Sequence, residues 1–91
     1  MLTPGRTTAF TKDLAKACRR GWDLFQFIEV TLLLLNRMPL PRHYRDHALG
    51  GNWVNHRELH IAPDWLLIYT IKEEENKCIF VRMGTHSELF D

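Results

Sequence analysis

Serine is almost missing from this 91-residue chain, where Ser87 stands alone. A Ser-His-Asp nucleophile would therefore have to join Ser87 to the adjacent His86, and neighbouring side chains do not meet in the geometry a triad needs. No nucleophile-elbow glycines surround it either. Cysteine is as scarce: Cys18 and Cys78 show no Cys-x-x-Cys spacing, which argues against both a disulfide scaffold and a cysteine-based zinc site and leaves two free, partly buried thiols as the expectation. The five glycines make no phosphate-cradling loop or dinucleotide fingerprint. The longest apolar run, residues 30–35, is far short of the roughly 20 residues a membrane-spanning helix needs, and no basic-then-apolar leader opens the chain. A cytoplasmic protein without membrane attachment is expected, with residues 1–91 as one domain and no internal repeat.

What is present is a folding composition, 45% hydrophobic and 25% charged, in a chain long enough to bury roughly 60–65% of its unfolded surface. The net charge of +1 hides an asymmetry. Residues 1–57 carry nine Lys/Arg against four acids, whereas residues 58–91 carry three against seven. Taken alone, the basic part suggests a polyanionic partner, and Glu73-Glu74-Glu75 a turn away from it.

Residues 2–8 have weak strand character, interrupted by Pro4-Gly5. From Thr8 to Arg20, Phe10, Leu14, Ala17 and Cys18 fall at helical spacing, and Gly21 supplies a left-handed stop. Asp23 reads as the N-cap of a second helix to about Arg37, with Gln26 completing a capping box and Phe27, Ile28, Leu32 and Leu35 as its inward stripe. Met38-Pro39-Leu40-Pro41 ends that helix. Residues 38–52 read as an ordered functional loop, followed by strands over 53–61, 65–71 and 77–83 with turns at 62–64 and 72–76. The expectation is an α+β fold of two layers, a helical hairpin on a small twisted antiparallel sheet of three to four strands.

The chemistry is concentrated between Leu40 and Trp65, which hold four of the five histidines, His43, His47, His56 and His60. Imidazole is the side chain best suited to moving protons near neutral pH. His43 and His47 have the i, i+4 spacing of a helical zinc pair, which Glu58, His60 and Asp64 could complete, but Pro41 and the glycines oppose a helix there. Metal-free RNA cleavage needs a base for the 2′-OH, an acid for the departing 5′-oxygen, a cation for the phosphorane and an aromatic surface for a base. Histidines with Asp64, Arg57, Arg82 and nearby aromatics supply those types. On residue types alone this reading stands beside a plain α+β domain whose histidines are surface or capping residues.

Three motifs carry a resemblance. Leu40-Pro-x-x-Tyr44-Arg45-Asp46-His47-x-Leu49-x-Gly51-x-Trp53, Arg57-Glu58-Leu59-His60-Ile61-x-Pro63-Asp64-Trp65-Leu66-Leu67-Ile68-Tyr69 and Gly84-Thr85-His86-Ser87-Glu88-Leu89-Phe90 together resemble the YafQ branch of the RelE-like toxins, the mRNA interferases of bacterial type II toxin-antitoxin pairs. The resemblance implies the RelE-like ribonuclease fold and an endoribonuclease that cuts mRNA in the ribosomal A site without metal or cofactor, leaving a 2′,3′-cyclic phosphate. It implies a cognate antitoxin, commonly of ribbon-helix-helix type, with the toxin monomeric alone and hetero-oligomeric in that complex. By motif, His47, His60, Asp64 and His86 match the catalytic residues, Phe90 the terminal aromatic and Arg82 the phosphate-stabilising base, with Arg45 and Arg57 as further substrate contacts. His86 is expected as the acid, His47 or His60 as the base, and Asp64 as the group orienting an imidazole. A non-catalytic module that binds antitoxin or RNA is the alternative, and a metal-dependent hydrolase a third. Met83 stands where the family has a small polar residue.

Overall fold

In the computed structural model, which describes residues 1–91, the hairpin forms where the spacing places it: α1 spans Thr8–Arg19 and α2 Leu24–Leu35. Thr7 caps α1, its hydroxyl oxygen accepting the Phe10 N–H at 2.9 Å while its own O–H donates to the Val81 carbonyl at 2.7 Å. The cap therefore starts the helix and ties it to the sheet in one contact. Phe10 and Ala17 are buried on the inner face of α1. Cys18, expected partly buried, is exposed, whereas Cys78 is buried, because positions 10, 14 and 17 already fill the stripe that meets the sheet. Gly21 ends the helix at φ +75°.

Asp23 caps α2 by accepting the Phe25 N–H at 3.0 Å; the reciprocal capping box forms at another helix, described below. The inner face of α2 is Val30, Leu34 and Leu35 with Phe27 and Leu33 half-buried beside them. Ile28 and Leu32, expected to point inward, are 48% and 53% exposed, and Phe25 is exposed with them. Positions 25, 28 and 32 lie on the side of the helix opposite 27, 30 and 34. In a helix apolar almost all round, spacing alone does not choose the face.

The sheet has five strands, β1 Thr3–Arg6, β2 His47–Ala48, β3 Arg57–Ala62, β4 Trp65–Lys72 and β5 Lys77–Gly84, in the order β1-β5-β4-β3-β2. It is larger than expected and mixed. The weak N-terminal segment does form a strand, pairing in parallel with β5 from Thr3 opposite Lys77 to Arg6 opposite Phe80. Pro4, which lacks a donor, is tolerated because β1 is an edge. The remaining pairs are antiparallel. β4 is central, buried from Trp65 to Thr70, as its unbroken apolar run requires.

One sheet face carries Leu59, Ile61, Leu67, Tyr69 and Phe80 into a core with Phe10, Val30 and Leu34. Leu67 has no solvent exposure, and truncating such a side chain to alanine costs about 2–5 kcal/mol. The other face is covered too, as the apolar run of β4 requires. It holds a smaller cluster of Leu66, Ile68 and Leu89 with Leu49, Trp53, Val81 and Phe90 packed around it, where the short α3, His86–Phe90, lies back over the sheet. No helix is long and apolar enough to cross a membrane.

Candidate active site

The second face is where the histidines meet. His47 of β2 pairs with Glu58 of β3, and cross-strand partners share a face, as does His60 two residues along β3. Glu58 is only 5% exposed. Its Oε1 lies 3.4 Å from Nε2 of His47 and 3.5 Å from Nε2 of His60, and the two imidazole centroids are 6.5 Å apart. The buried carboxylate thus stands between two imidazoles. Nδ1 of His47 is 2.7 Å from the Arg45 carbonyl oxygen. A carbonyl only accepts, so Nδ1 bears a hydrogen, and Nε2, beside Glu58, is the nitrogen left to exchange a proton.

The strip between this group and the chain end is set by register. His60 pairs with Leu66, and Leu66 with Gly84, so the β3 and β5 backbones lie roughly 10 Å apart across an apolar floor. Beyond Gly84, Thr85 caps α3 with both halves of a capping box: its oxygen accepts the Glu88 N–H at 3.2 Å, and Glu88 Oε1 accepts the Thr85 N–H at 2.9 Å. His86 opens the helix and Phe90 closes it, their rings 5.1 Å apart. Phe90 meets the edge of Trp53 at 6.4 Å. Trp53 and Phe90, with His86 beside Phe90, thus lie on the same side of the sheet as the His47–Glu58–His60 group, around Leu66 and Ile68.

Asp64 does not orient an imidazole here. Its Oδ1 accepts the backbone N–H of His86 at 3.0 Å, so it fixes the start of α3 and acts on His86 through the main chain. Asp13 and Lys16 of α1, with the C-cap residue Arg20, brace the same region. Asp13 accepts Arg82 Nε–H at 2.7 Å, Arg82 Nη2–H at 3.3 Å and the Met83 N–H at 3.0 Å, while Lys16 and Arg20 both pair with Glu88. Positions 13, 16 and 20 share one helical face. The hydrogen bonds from Arg20 and Lys16, with that from the Thr85 N–H, hold the Glu88 carboxyl far below the ordinary carboxylate range.

The expected substrate-binding residues divide. Arg82 lies at the edge of the histidine face but is occupied by Asp13. Arg57 is on the opposite face, paired with Tyr69 across the strands; its Nε–H and Nη2–H both donate to Asp46 Oδ2, at 3.1 and 2.8 Å, and the Tyr69 hydroxyl donates to Asp46 Oδ1. Burial beside that carboxylate pushes the Tyr69 phenol well above its usual range. Arg45 sits between the two sides, lining a cavity of about 380 Å³ together with His43 and His60. His43 packs its ring on Tyr44 at 4.2 Å, and Nδ1 of His56 is 2.9 Å from the Val54 carbonyl oxygen. No three His, Cys, Asp or Glu side chains converge as a ligand set for a metal ion.

Glu58, which the motifs do not mark as a catalytic candidate, stands at the centre of this group. Its signal was the alternation of β3, which puts Glu58 beside His60; pairing with a two-residue β2 brings His47 to the same place.

Residues 2–91 match the family model for the bacterial toxin of type II toxin-antitoxin systems, YafQ. The mRNA interferase toxin YafQ of Escherichia coli strain K12 is 40% identical over 82 residues, 89% of this chain and 87% of that protein. Among solved structures, a metal-bound toxin from Helicobacter pylori superposes with a TM-score of 0.94 at 43% identity, covering 99% of this chain and all of that one. The toxin of the E. coli DinJ-YafQ complex superposes at 0.90 with 35% identity over the whole of both chains.

Proposed function

This chain belongs to the YafQ family of type II toxins, and from that premise we propose that it is an mRNA endoribonuclease that cuts in the ribosomal A site by metal-independent acid-base catalysis and is neutralised by an antitoxin of ribbon-helix-helix type. The observation that supports the proposal is the buried Glu58 carboxylate between Nε2 of His47 and Nε2 of His60, on the sheet face that also bears Trp53 and Phe90.

In this reaction His47 Nε2, with its hydrogen-bearing Nδ1 held by the Arg45 carbonyl, takes the 2′-OH proton, and Glu58 stabilises the imidazolium that results. The 2′-oxygen attacks the adjacent phosphorus and the P–O5′ bond breaks. A 2′,3′-cyclic phosphate remains on one fragment, and His86 delivers a proton to the departing 5′-oxygen of the other. Trp53 and Phe90 offer ring surface for a splayed base. With Arg82 engaged by Asp13, the positive charge available to the phosphorane is that of the imidazolium formed on His47 and of the proton-donating His86.

The test maps mRNA ends on programmed, translating ribosomes with and without EDTA, beside a His86→Ala control. Cuts confined to the A-site codon, persisting in EDTA and lost in the variant, are expected. A folded wild-type protein that makes no cuts would leave a binding module. The metal-bound H. pylori relative gives the EDTA arm its purpose: cuts abolished by chelation would turn the histidines into ligands.

A further inference from the structure

We propose that the cavity on the helix-bearing side of the sheet, between the end of α2 and the loop of residues 38–46, receives an acidic, partly apolar peptide segment of the antitoxin partner. The inference rests on the reading above for the existence of that partner and adds where, and by what chemistry, it is held.

The cavity encloses about 670 Å³, the largest such space in the molecule. Its floor is apolar, with Leu34, Leu40 and Ile71, while Arg42, Arg45 and Arg57 stand around it. Arg57 is oriented by Asp46 through Nε and Nη2, which leaves Nη1 without a protein acceptor. Arg42 and Arg45 belong to none of the ion pairs that engage the other arginines of this region. The one carboxylate in the lining, Asp46, already serves Arg57 and Tyr69. The excess positive charge over an apolar floor is complementary to carboxylates carried on a chain that also has aliphatic side chains to bury. Arg45 holds a left-handed backbone, φ +51°, a conformation that bulky residues adopt rarely and at a cost, and one concentrated at binding sites.

The same features count against RNA at this location. Single-stranded RNA is gripped by stacking its bases on exposed rings. The one aromatic residue lining this cavity, Tyr69, is buried, and its hydroxyl is committed to Asp46. Trp53 and Phe90 lie on the other side of the sheet with the histidines. Because Arg57 and Glu58 project to opposite faces of β3, a segment docked here leaves the His47–Glu58–His60 group uncovered. Capture of the toxin is thereby separable from catalysis.

The experiment uses the full chain with methyl-labelled leucine and isoleucine, observed by NMR. Its probes are a short peptide alternating leucine and glutamate, the same peptide with glutamine for glutamate, and a short single-stranded RNA. The acidic peptide is expected to move the Leu34, Leu40 and Ile71 methyl signals while leaving the His47 and His60 ring signals in place. Arg42→Glu should weaken that peptide about tenfold, as should the glutamine exchange, with mRNA cleavage by the Arg42→Glu variant unchanged. RNA moving the cavity methyls, or methyls indifferent to the acidic peptide, would overturn the proposal, and so would lost cleavage in Arg42→Glu. A wild-type chain that binds the peptide but cuts no mRNA would refute the nuclease reading and leave the docking site standing.

Discussion

Replacing Glu88 with alanine should impair cleavage far more than it impairs folding. The side chain touches nothing in the proposed reaction, yet it holds the helix that presents His86. Its Oε1 accepts the Thr85 N–H at 2.9 Å and Arg20 Nη1–H at 3.0 Å, and Oε2 meets Lys16 and Arg20. α3 has five residues, too few to persist without anchors. Losing the box costs about 1 kcal/mol; the outward ion pairs are screened by water and add little. Such a loss changes the docking equilibrium of α3 about fivefold and, if transmitted to the whole domain, lowers Tm by roughly 4–8 °C. The buried Leu89 and the Asp64 contact keep α3 near its place, so the effect on His86 is displacement, and displacement by about 1 Å can cost on the order of a hundredfold in rate. The assay is single-turnover cleavage on programmed ribosomes. A kcat about ten- to a hundredfold lower with KM little changed is expected, together with no further loss when Glu88→Ala is added to His86→Ala. A loss of the same size in both backgrounds, or an unchanged kcat, would refute the reasoning. Glu88→Gln keeps an acceptor for the Thr85 N–H and should fall between. The pH dependence has a definite sign: the folded carboxyl lies below its ordinary value of 4.5, so its stabilising contribution is complete above that value and is lost only as pH falls below it.

Glu58→Gln should reduce cleavage about a hundredfold by removing the charge that stabilises the His47 imidazolium, with thermal stability nearly unchanged because the amide keeps the shape of the buried carboxylate; full activity in the variant would exclude Glu58 from the chemistry. The thiols should differ in reactivity, since burial pushes Cys78 up to about 11 while Cys18 is exposed: mass spectrometry after iodoacetamide at neutral pH should show one adduct on Cys18, and rapid labelling of Cys78 would contradict its placement in the core.

The parts of this fold that the sequence made legible rest on local rules. The hairpin follows from Gly21 and Asp23, whose stopping and capping roles need no knowledge of the rest of the chain. β3 and β4 were readable because one alternates and the other is apolar throughout. What escaped depends on contacts distant in sequence. β1 was legible only as a weak, interrupted strand, and only its place at the edge, beside a β5 more than seventy residues away, excuses the proline. The inward face of α2 escaped because six of its eight positions from Phe27 to Leu34 are apolar, and the sheet chose among them. The site shows the same division. His47, His60, His86 and Phe90 were found by motif, but that Glu58 joins them, and that Asp64 serves the backbone of His86, required the register of β2 and the return of α3.

Charge was least legible of all, for a reason with functional weight. The first 57 residues carry an excess of five positive charges along the sequence, which suggests a broad surface for polyanions. In space part of that excess is cancelled by acids from the other half, Glu88 engaging Lys16 and Arg20 and Glu73 engaging Arg37, while Asp46 and Asp13, acids of the first half, hold Arg57 and Arg82. These pairs orient helices and strand ends, and a guanidinium already satisfied by a carboxylate is a poor ligand for phosphate, since binding would first break the pair. The cations left without a carboxylate partner, Arg42 and Arg45 among them, carry more information about partners than the total does. Because Arg42 and Arg45 gather at one cavity, away from Trp53 and Phe90, the two proposals fall on different surfaces: nucleic acid on the histidine and aromatic face, and an acidic chain at the arginine-lined cavity. A net charge near zero is thus compatible with both, and its sign along the sequence identifies neither.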